Sequence, residues 1–411
     1  MTEQNPYEMM YGNYLVHIPD MPTQQGPLGI FYDFNDGARA FLPEGNWHIR
    51  IEDNETGNVI DELDSSGGLV QSSIRYYVRF RIRIWKNGES NPIFEHILNL
   101  AGRETQILFP LQAFGDCISW LPIAISFTER HKCLSEFIIS DFIADLFRSN
   151  YPDIHFTDPR TEKPRFSRPY ASYHLGLHFF RISYYSKMYS PNDYRMFPLH
   201  CQAASILGIN TPLVSPKIKT GSDRPIPERY VAIACRSTKK AKNWLNPNGW
   251  KHTVAYLLRI GYRVICIDKN AVQDGERLPF GVEDWTGDLP LTERAAVIEH
   301  CDFFIGMDSG LGWVAWAMGK PVIIIGGYTL PFHIFWTPYR AIVPYACNGC
   351  FHDLSVSIVE ILRDYYSCPR HKGTSREYEC SRLITPKQVI IQINRLMTDH
   401  GLSKPCDSHG N

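Results

Sequence analysis

No apolar run in this sequence approaches the length of a membrane span; VIIIGG at 322–327 is among the longest, against the roughly 20 residues a bilayer demands. Net charge is nearly absent too. Lys and Arg total 42 against 43 Asp and Glu, a balance of −1, so bulk electrostatics recruits neither nucleic acid nor an anionic membrane. The opening MTEQNPYEMMYGNYLVHIPD lacks the basic and apolar regions of a signal peptide, and a cytoplasmic location is expected. Internal repeats and low-complexity tracts are also missing. Cysteine is not scarce: there are 11, expected in such a compartment as reduced thiols or metal ligands rather than disulfides.

The 411 residues are 44% hydrophobic and 13% aromatic, enough for two or three domains with sizeable cores. Residues 1–30 read as irregular. Over 30–100, short runs such as GIFYDF, NWHIRIED and SIRYYVRFRIRIW are separated by turn signals at NDG, ETGN, SSGG and NG. The alternation of Arg with Tyr, Val, Phe and Ile in IRYYVRFRIRIW is the period of a half-exposed strand. This region is expected as a barrel-like β domain over 1–104. Strands and helices then alternate from TQILFP through CISWLPIAISFTER, SEFIISD and DIHF, giving a Rossmann-like domain over 105–220 that ends in the linker KIKTGSDRPIPE. A second βαβ series opens at YVAIACR and runs through YRVICID, DFFIGMD and KPVIIIGG, a parallel sheet over 221–411. Ligands of such sheets bind beyond the carboxyl ends of the strands, here in a cleft between the two Rossmann-like domains.

Three stretches carry chemistry. In DFFIGMDSGLGWVAWAMG a strand ends at Asp308, and Ser309, Gly310 and Leu311 lead into a helix. The free N–H groups there suit a phosphate, while a plain Ser N-cap explains the same residues. In VAIACRSTKKAKNW a strand ends near Arg236, and Lys239, Lys240 and Lys242 crowd the following loop; they either clamp a diphosphate or are simply solvated. In ILFPLQAFGDCISWLP, Asp116 follows a strand and a glycine and opens a helix, as a cleft carboxylate or a capping residue.

Together and in this order the three resemble a known family. GDCISWLP is similar to the G-D-V-x-x-x-L-P start of the ADP-heptose:lipopolysaccharide heptosyltransferases, KNW at 242–244 to their K-x-W segment, and GMDSGLGWVAWAMGKPVIIIGG to their D-[ST]-G-x-x-H-x-x-A-A-x-x-x-P block. One position departs: Trp313 stands where that block has His. The β-rich start and a four-cysteine segment further resemble the autotransporter heptosyltransferases of the TibC/Aah type. That resemblance implies a GT-B fold with an N-terminal β-barrel-like domain and a metal finger. It implies transfer of glycero-manno-heptose from ADP-heptose to serines of an autotransporter passenger protein, in a ring-like homo-oligomer, a dodecamer. Asp116 is the expected base for the serine hydroxyl. Lys242 and the N–H groups of Ser309–Leu311 are expected to stabilise charge on the β-phosphate, with Arg236 assisting, and Asp268 to meet the adenosine ribose. Attack opposite ADP inverts the anomeric centre.

The cysteines read C-x2-C-x17-C-x11-C at Cys347, Cys350, Cys368 and Cys380. They sit in a segment too polar to build a core, so a structural metal finger is expected over 345–382, with His352 and His371 as nearby alternative ligands. Four thiolates suit zinc or a single iron; the family resemblance implies iron. Two other readings remain: a lipopolysaccharide-type enzyme with another acceptor, and a rubredoxin-like iron redox or sensor protein with an inactive transferase body.

Overall fold

A computed structural model describes residues 18–86, 88–110, 113–176, 186–210, 212–237, 239–272, 277–356 and 367–404. Part of the expected finger, 357–366, lies outside these residues, as does Cys406.

Eighteen strands are labelled here in chain order. Those of the first half are β1 (Gln24–Gln25), β2 (Phe31–Asn35), β3 (Arg39–Leu42), β4 (Trp47–Asp53), β5 (Val59–Ser65), β6 (Gly68–Gln71), β7 (Phe80–Lys86), β8 (Phe94–Ile97), β9 (Glu104–Leu108), β10 (Leu134–Ile138), β11 (His155–Thr157) and β12 (Ala171–His174). The longer helices of this half are α1 (Phe114–His131) and α2 (Leu199–Leu207).

The β-rich region divides between two sheets. Strands β5-β4-β7-β8 form an antiparallel sheet of their own. Strands β2, β3 and β6 instead extend the sheet ordered β11-β10-β9-β12-β2-β3-β6, in which Phe34 and Asn35 of β2 pair in parallel with Ala171 and Ser172 of β12. The two sheets pack face to face through Phe34 on Phe80, with ring centroids 6.2 Å apart, and Tyr32 on Phe94 at 5.0 Å. Of the two packed sheets, one runs on into the Rossmann-like sheet through β12, so the β-rich start is not set apart from it at residue 104.

In β7 the alternation reads as expected, with Phe80, Ile82 and Ile84 buried and Arg81 and Arg83 half-exposed. The strand starts later than the pattern suggested. Arg75 and Tyr77 donate their backbone N–H groups to Met188 and Ile206, at 2.7 and 2.8 Å, which ties these two residues to the one-turn helix Ser186–Tyr189 and to α2 rather than to a ladder.

The second half holds β13 (Tyr230–Ile233), β14 (Arg263–Cys266), β15 (Val282–Asp284), β16 (Phe304–Gly306), β17 (Val322–Ile325) and β18 (Arg340–Ala341). Its longer helices are α3 (Gly249–Arg259), α4 (Leu291–His300), α5 (Gly310–Ala317) and α6 (Pro386–Asp399). The strands are parallel throughout, in the order β15-β14-β13-β16-β17-β18. Helix α6 begins with a capping box: Thr385 accepts from the Gln388 N–H while the Gln388 side chain accepts from the Thr385 N–H. The order reverses between β13 and β16, and that switch point is where such sheets hold their ligands. Among the described residues no helix is long and apolar enough to cross a membrane.

Candidate active site

The loops that leave β13 and β16 flank the switch point. The first carries Lys239, Lys240 and Lys242, and the second carries Asp308 and Ser309 into α5. Ser309 is the N-cap residue of α5, yet its side chain makes no capping hydrogen bond. The hydroxyl and the first N–H groups of the helix are thus the local donors for an anion.

Asp116 comes from the other half of the chain. Helix α1 follows β9, and Asp116 lies in its first turn. Two glycines let α1 and α5 meet: a side chain at Gly115 would come within 2.8 Å of the Trp313 ring, and one at Gly310 within 2.5 Å of the Phe114 Cβ. Trp313 is buried, its ring 5.7 Å from Trp316 and 5.0 Å from Phe335. The indole at the usual His position is therefore part of the seam between the halves.

The seam brings Asp116 into electrostatic range of Lys242 and Asp308. Burial pushes the Asp116 carboxyl up to about 7, Lys242 and its own backbone N–H pull it down, and Asp308 adds to the rise. Asp308 goes the other way. Burial favours its neutral form, but Lys242, His333, the Thr329 hydroxyl and Arg340 together hold it below the usual carboxylate range. Two carboxyl groups share one cleft with separated titrations, the arrangement that divides acid–base work from charge stabilisation.

The loop after β17 completes this side. Thr329 donates its hydroxyl to Asp308, and Arg340 donates to the Thr329 carbonyl at 2.9 Å. Burial lowers the His333 imidazole to about 4, although Asp308 favours its charged form. The ammonium groups of Lys239 and Lys242 lie 5.9 and 5.5 Å from the Tyr328 ring centroid, within cation–π range.

Arg236 and Asp268 are brought together at the far edge of the site. Asp268 accepts from the Arg236 backbone N–H at 3.3 Å and from its Nε at 3.2 Å, and Arg236 also donates to the carbonyls of Asn270 and Ala271. Burial raises the Asp268 carboxyl and Arg236 opposes the rise. Beside them Arg294, buried in α4, donates to the carbonyls of Ile267, Asp268, Lys269, Gly287 and Leu289. It fixes the loops around a cavity of about 410 Å³ between Phe142 and the segments 269–271 and 287–289.

The four cysteines lie apart from this centre but lean on it. Cys350, Cys368 and Cys380 are buried and Cys347 is half-buried. Burial, and then the neighbouring Cys380, Cys368 and Cys347, push the Cys350 thiol up to about 12, so the four share one neighbourhood. Arg370 donates to Cys347 Sγ at 3.3 Å. Donor atoms of Cys347, His371 and Glu379 also come within 4.8 Å of one another. Glu379, however, is held by Arg376 at 2.6 and 2.9 Å and by the Cys347 N–H at 2.8 Å. Four thiol groups in one neighbourhood have the donor chemistry of a tetrahedral metal site.

This segment grips the lysine loop. Trp244 donates its indole N–H to the Ile384 carbonyl at 3.0 Å, the Leu245 N–H donates to Ser381 Oγ at 2.8 Å, and Ser381 Oγ donates to the Asn243 carbonyl. Gly349 donates to the Gly327 carbonyl at 2.7 Å, tying the knuckle to the strand end that carries Tyr328. It also reaches the first half: Arg195 donates to the carbonyls of Asp353 and Val356 at 3.3 and 3.1 Å, and His352 Nδ1 pairs with the Arg195 carbonyl.

Sequence reasoning did not single out Thr329, His333, Arg340 or Arg294. The first three follow β17, and that place beyond a parallel strand was the available signal.

Comparison with known proteins gives the family. Residues 26–88 match "Glycosyltransferase TibC, N-terminal domain", and residues 206–354 match "Glycosyltransferase family 9 (heptosyltransferase)". The chain is 43% identical to the autotransporter heptosyltransferase BAHTCr of Citrobacter rodentium, over 93% of each protein. A crystal structure of the iron-containing dodecameric glycosyltransferase TibC from enterotoxigenic E. coli H10407 superposes with a TM-score of 0.87 at 41% identity, over 93% of this chain and all of that one. Dodecameric iron-containing TibC in complex with ADP-D-beta-D-heptose gives 0.88 at 42% identity, over 93% of this chain and 99% of that one. The GT-B-like family 9 fold follows, and the chain belongs to the autotransporter heptosyltransferases, a family of glycosyltransferases.

Proposed function

We propose that this protein transfers glycero-manno-heptose from ADP-heptose to serine hydroxyls of an autotransporter passenger protein, with inversion, in the cytoplasm before export. The observation that carries the reading is Asp116, a cleft carboxyl pushed to about 7 opposite Lys242 and Asp308. A serine hydroxyl is a weak nucleophile, and a base poised near neutrality takes its proton as it attacks the anomeric carbon. The bond from that carbon to the β-phosphate oxygen breaks, and ADP leaves with the electron pair. Lys242, the Ser309 hydroxyl and the N–H groups of Gly310 and Leu311 meet the growing charge, while Asp308 holds Lys242 in place. Arg236, positioned by Asp268, borders the cavity beside Phe142, which takes the adenosine. Residues 105–220 form the acceptor side and 221–411 the donor side.

Cys347, Cys350, Cys368 and Cys380 hold one iron. When bound it supplies a cross-link and no reactive position, because four protein ligands close its shell. TibC is described as dodecameric, and a homo-oligomer of the same kind is proposed for this chain. The test is co-incubation of the purified protein, ADP-heptose and a serine-rich passenger domain, read by intact mass. Stepwise addition of heptose units is expected; an unmodified passenger and intact ADP-heptose overturn the reading.

A further inference from the structure

His333 and His352 sit side by side behind Asp308, their ring centroids 4.9 Å apart at 71°. They come from different segments. His333 ends the one-turn helix Pro331–His333 after β17, and His352 ends Cys350–His352 in the finger. Each is tied to the first half of the chain through Nδ1. His333 Nδ1 lies 3.2 Å from the Phe197 carbonyl, and His352 Nδ1 pairs with the Arg195 carbonyl. A carbonyl only accepts, so Nδ1 carries the hydrogen in both rings. In the neutral ring Nε2 is then a lone-pair acceptor.

Of the two acceptors, that of His352 is both buried and unsatisfied among the described residues. His352 is 8% exposed, and its Nε2 is buried without a partner. His333 is 7% exposed, and its hydrogen bonding to the chain ends at Nδ1. A buried acceptor without a donor, as at His352, is costly and calls for a donor from outside the chain. The neighbouring Asp308 carboxylate is an acceptor as well. The cleft is thus sorted by polarity of hydrogen bonding: Lys242 and the start of α5 present donors, and the loop after β17 presents acceptors.

We infer that His333 and His352 are specificity-determining residues that accept hydroxyl groups of the transferred sugar through Nε2. A diphosphate carries acceptors only at neutral pH and gains nothing from this pair; a polyol is rich in the donors it lacks. This inference rests on the proposed ADP-heptose reading.

The test compares binding of ADP and of ADP-heptose by calorimetry in the full-length, metal-loaded protein. The wild-type is expected to bind ADP-heptose more tightly than ADP. His333→Phe keeps the ring shape and removes the nitrogens; it is expected to weaken ADP-heptose binding about tenfold and leave ADP binding within about twofold. His333→Gln, which returns an acceptor oxygen, is expected to recover part of the difference, and His352→Phe to behave as His333→Phe does. Preference for ADP-heptose that survives in His333→Phe overturns the inference while leaving the transferase reading intact. Equal loss of ADP binding in His333→Phe also overturns it, since that is the mark of a structural residue. A wild-type protein without any preference for ADP-heptose refutes the functional reading itself, and the inference with it.

Discussion

Replacing Asp116 by Asn has two effects of opposite sign. The folded carboxyl titrates at about 7 against an ordinary 3.8, because burial disfavours its charge. The folded state therefore holds this proton more tightly than the unfolded chain does. The group's contribution to stability is whole below about pH 3.8 and is lost as pH rises through about 7. That interval corresponds to a ceiling of about 4 kcal/mol. The carboxyl is only half-buried, so water in the cleft screens it, and about 1–2 kcal/mol is the expected cost of its charge at pH 8. Asn carries no charge. Asp116→Asn is expected to be more stable than wild-type at pH 8 by that amount, with the advantage fading toward pH 4. Transfer is expected to fall by about 10²–10⁴, the usual worth of a general base, while ADP-heptose still binds. Urea denaturation at several pH values and single-turnover transfer measure the two effects. An Asn variant less stable than wild-type at pH 8 refutes the buried-charge argument; near-normal transfer removes Asp116 from the base role.

Lys242 favours the ionised form of Asp116. Lys242→Ala should weaken ADP binding, slow transfer and move the acidic limb of kcat/KM to higher pH; unchanged kinetics place the phosphate clamp on Arg236 or Lys239. Cys380→Ser should lower iron content and weaken ADP binding about tenfold, because Ser381 beside it bonds both Asn243 and Leu245. ADP affinity that is indifferent to iron content would disconnect the finger from the site. Trp313→Ala opens the seam at Gly115 and should cost about 3 kcal/mol in denaturant unfolding; a cost under about 1 kcal/mol would show that the indole is not an interdomain anchor.

The second Rossmann-like unit was legible almost strand by strand, because buried parallel strands write themselves as short apolar runs between helical periods. The sequence placed Asp116, Lys242 and Ser309 on segments that follow such strands, and the structure brings Asp116 within electrostatic range of Lys242. The β-rich start was harder. Period-2 alternation marks strands but not their partners, and nothing in GIFYDF announces pairing with Ala171. The run over 74–79 looked like strand, yet Arg75 and Tyr77 within it give their N–H groups to Met188 and Ile206. Arg236 and Asp268 were each read as facing a ligand, and their engagement with each other is a long-range fact that spacing does not encode. The histidine pair was hidden for the same reason, since His352 read as a spare metal ligand until Arg195 appeared as its partner.

The parallel pairing of β2 with β12 also constrains how the chain is made. Residues 31–35 emerge early in synthesis, but their partner strand, 171–174, follows more than a hundred residues later. Until it arrives, the Phe34–Asn35 end of β2, beyond its pairing with β1, has open N–H and C=O groups, the kind of edge that pairs with the wrong neighbour. Such distant pairing is also slow to form. A fragment cut after residue 104 would keep that exposed edge permanently, so the N-terminal unit is not an excisable module. A chimaera that exchanges it between relatives must carry β12 and the strand beside it as well.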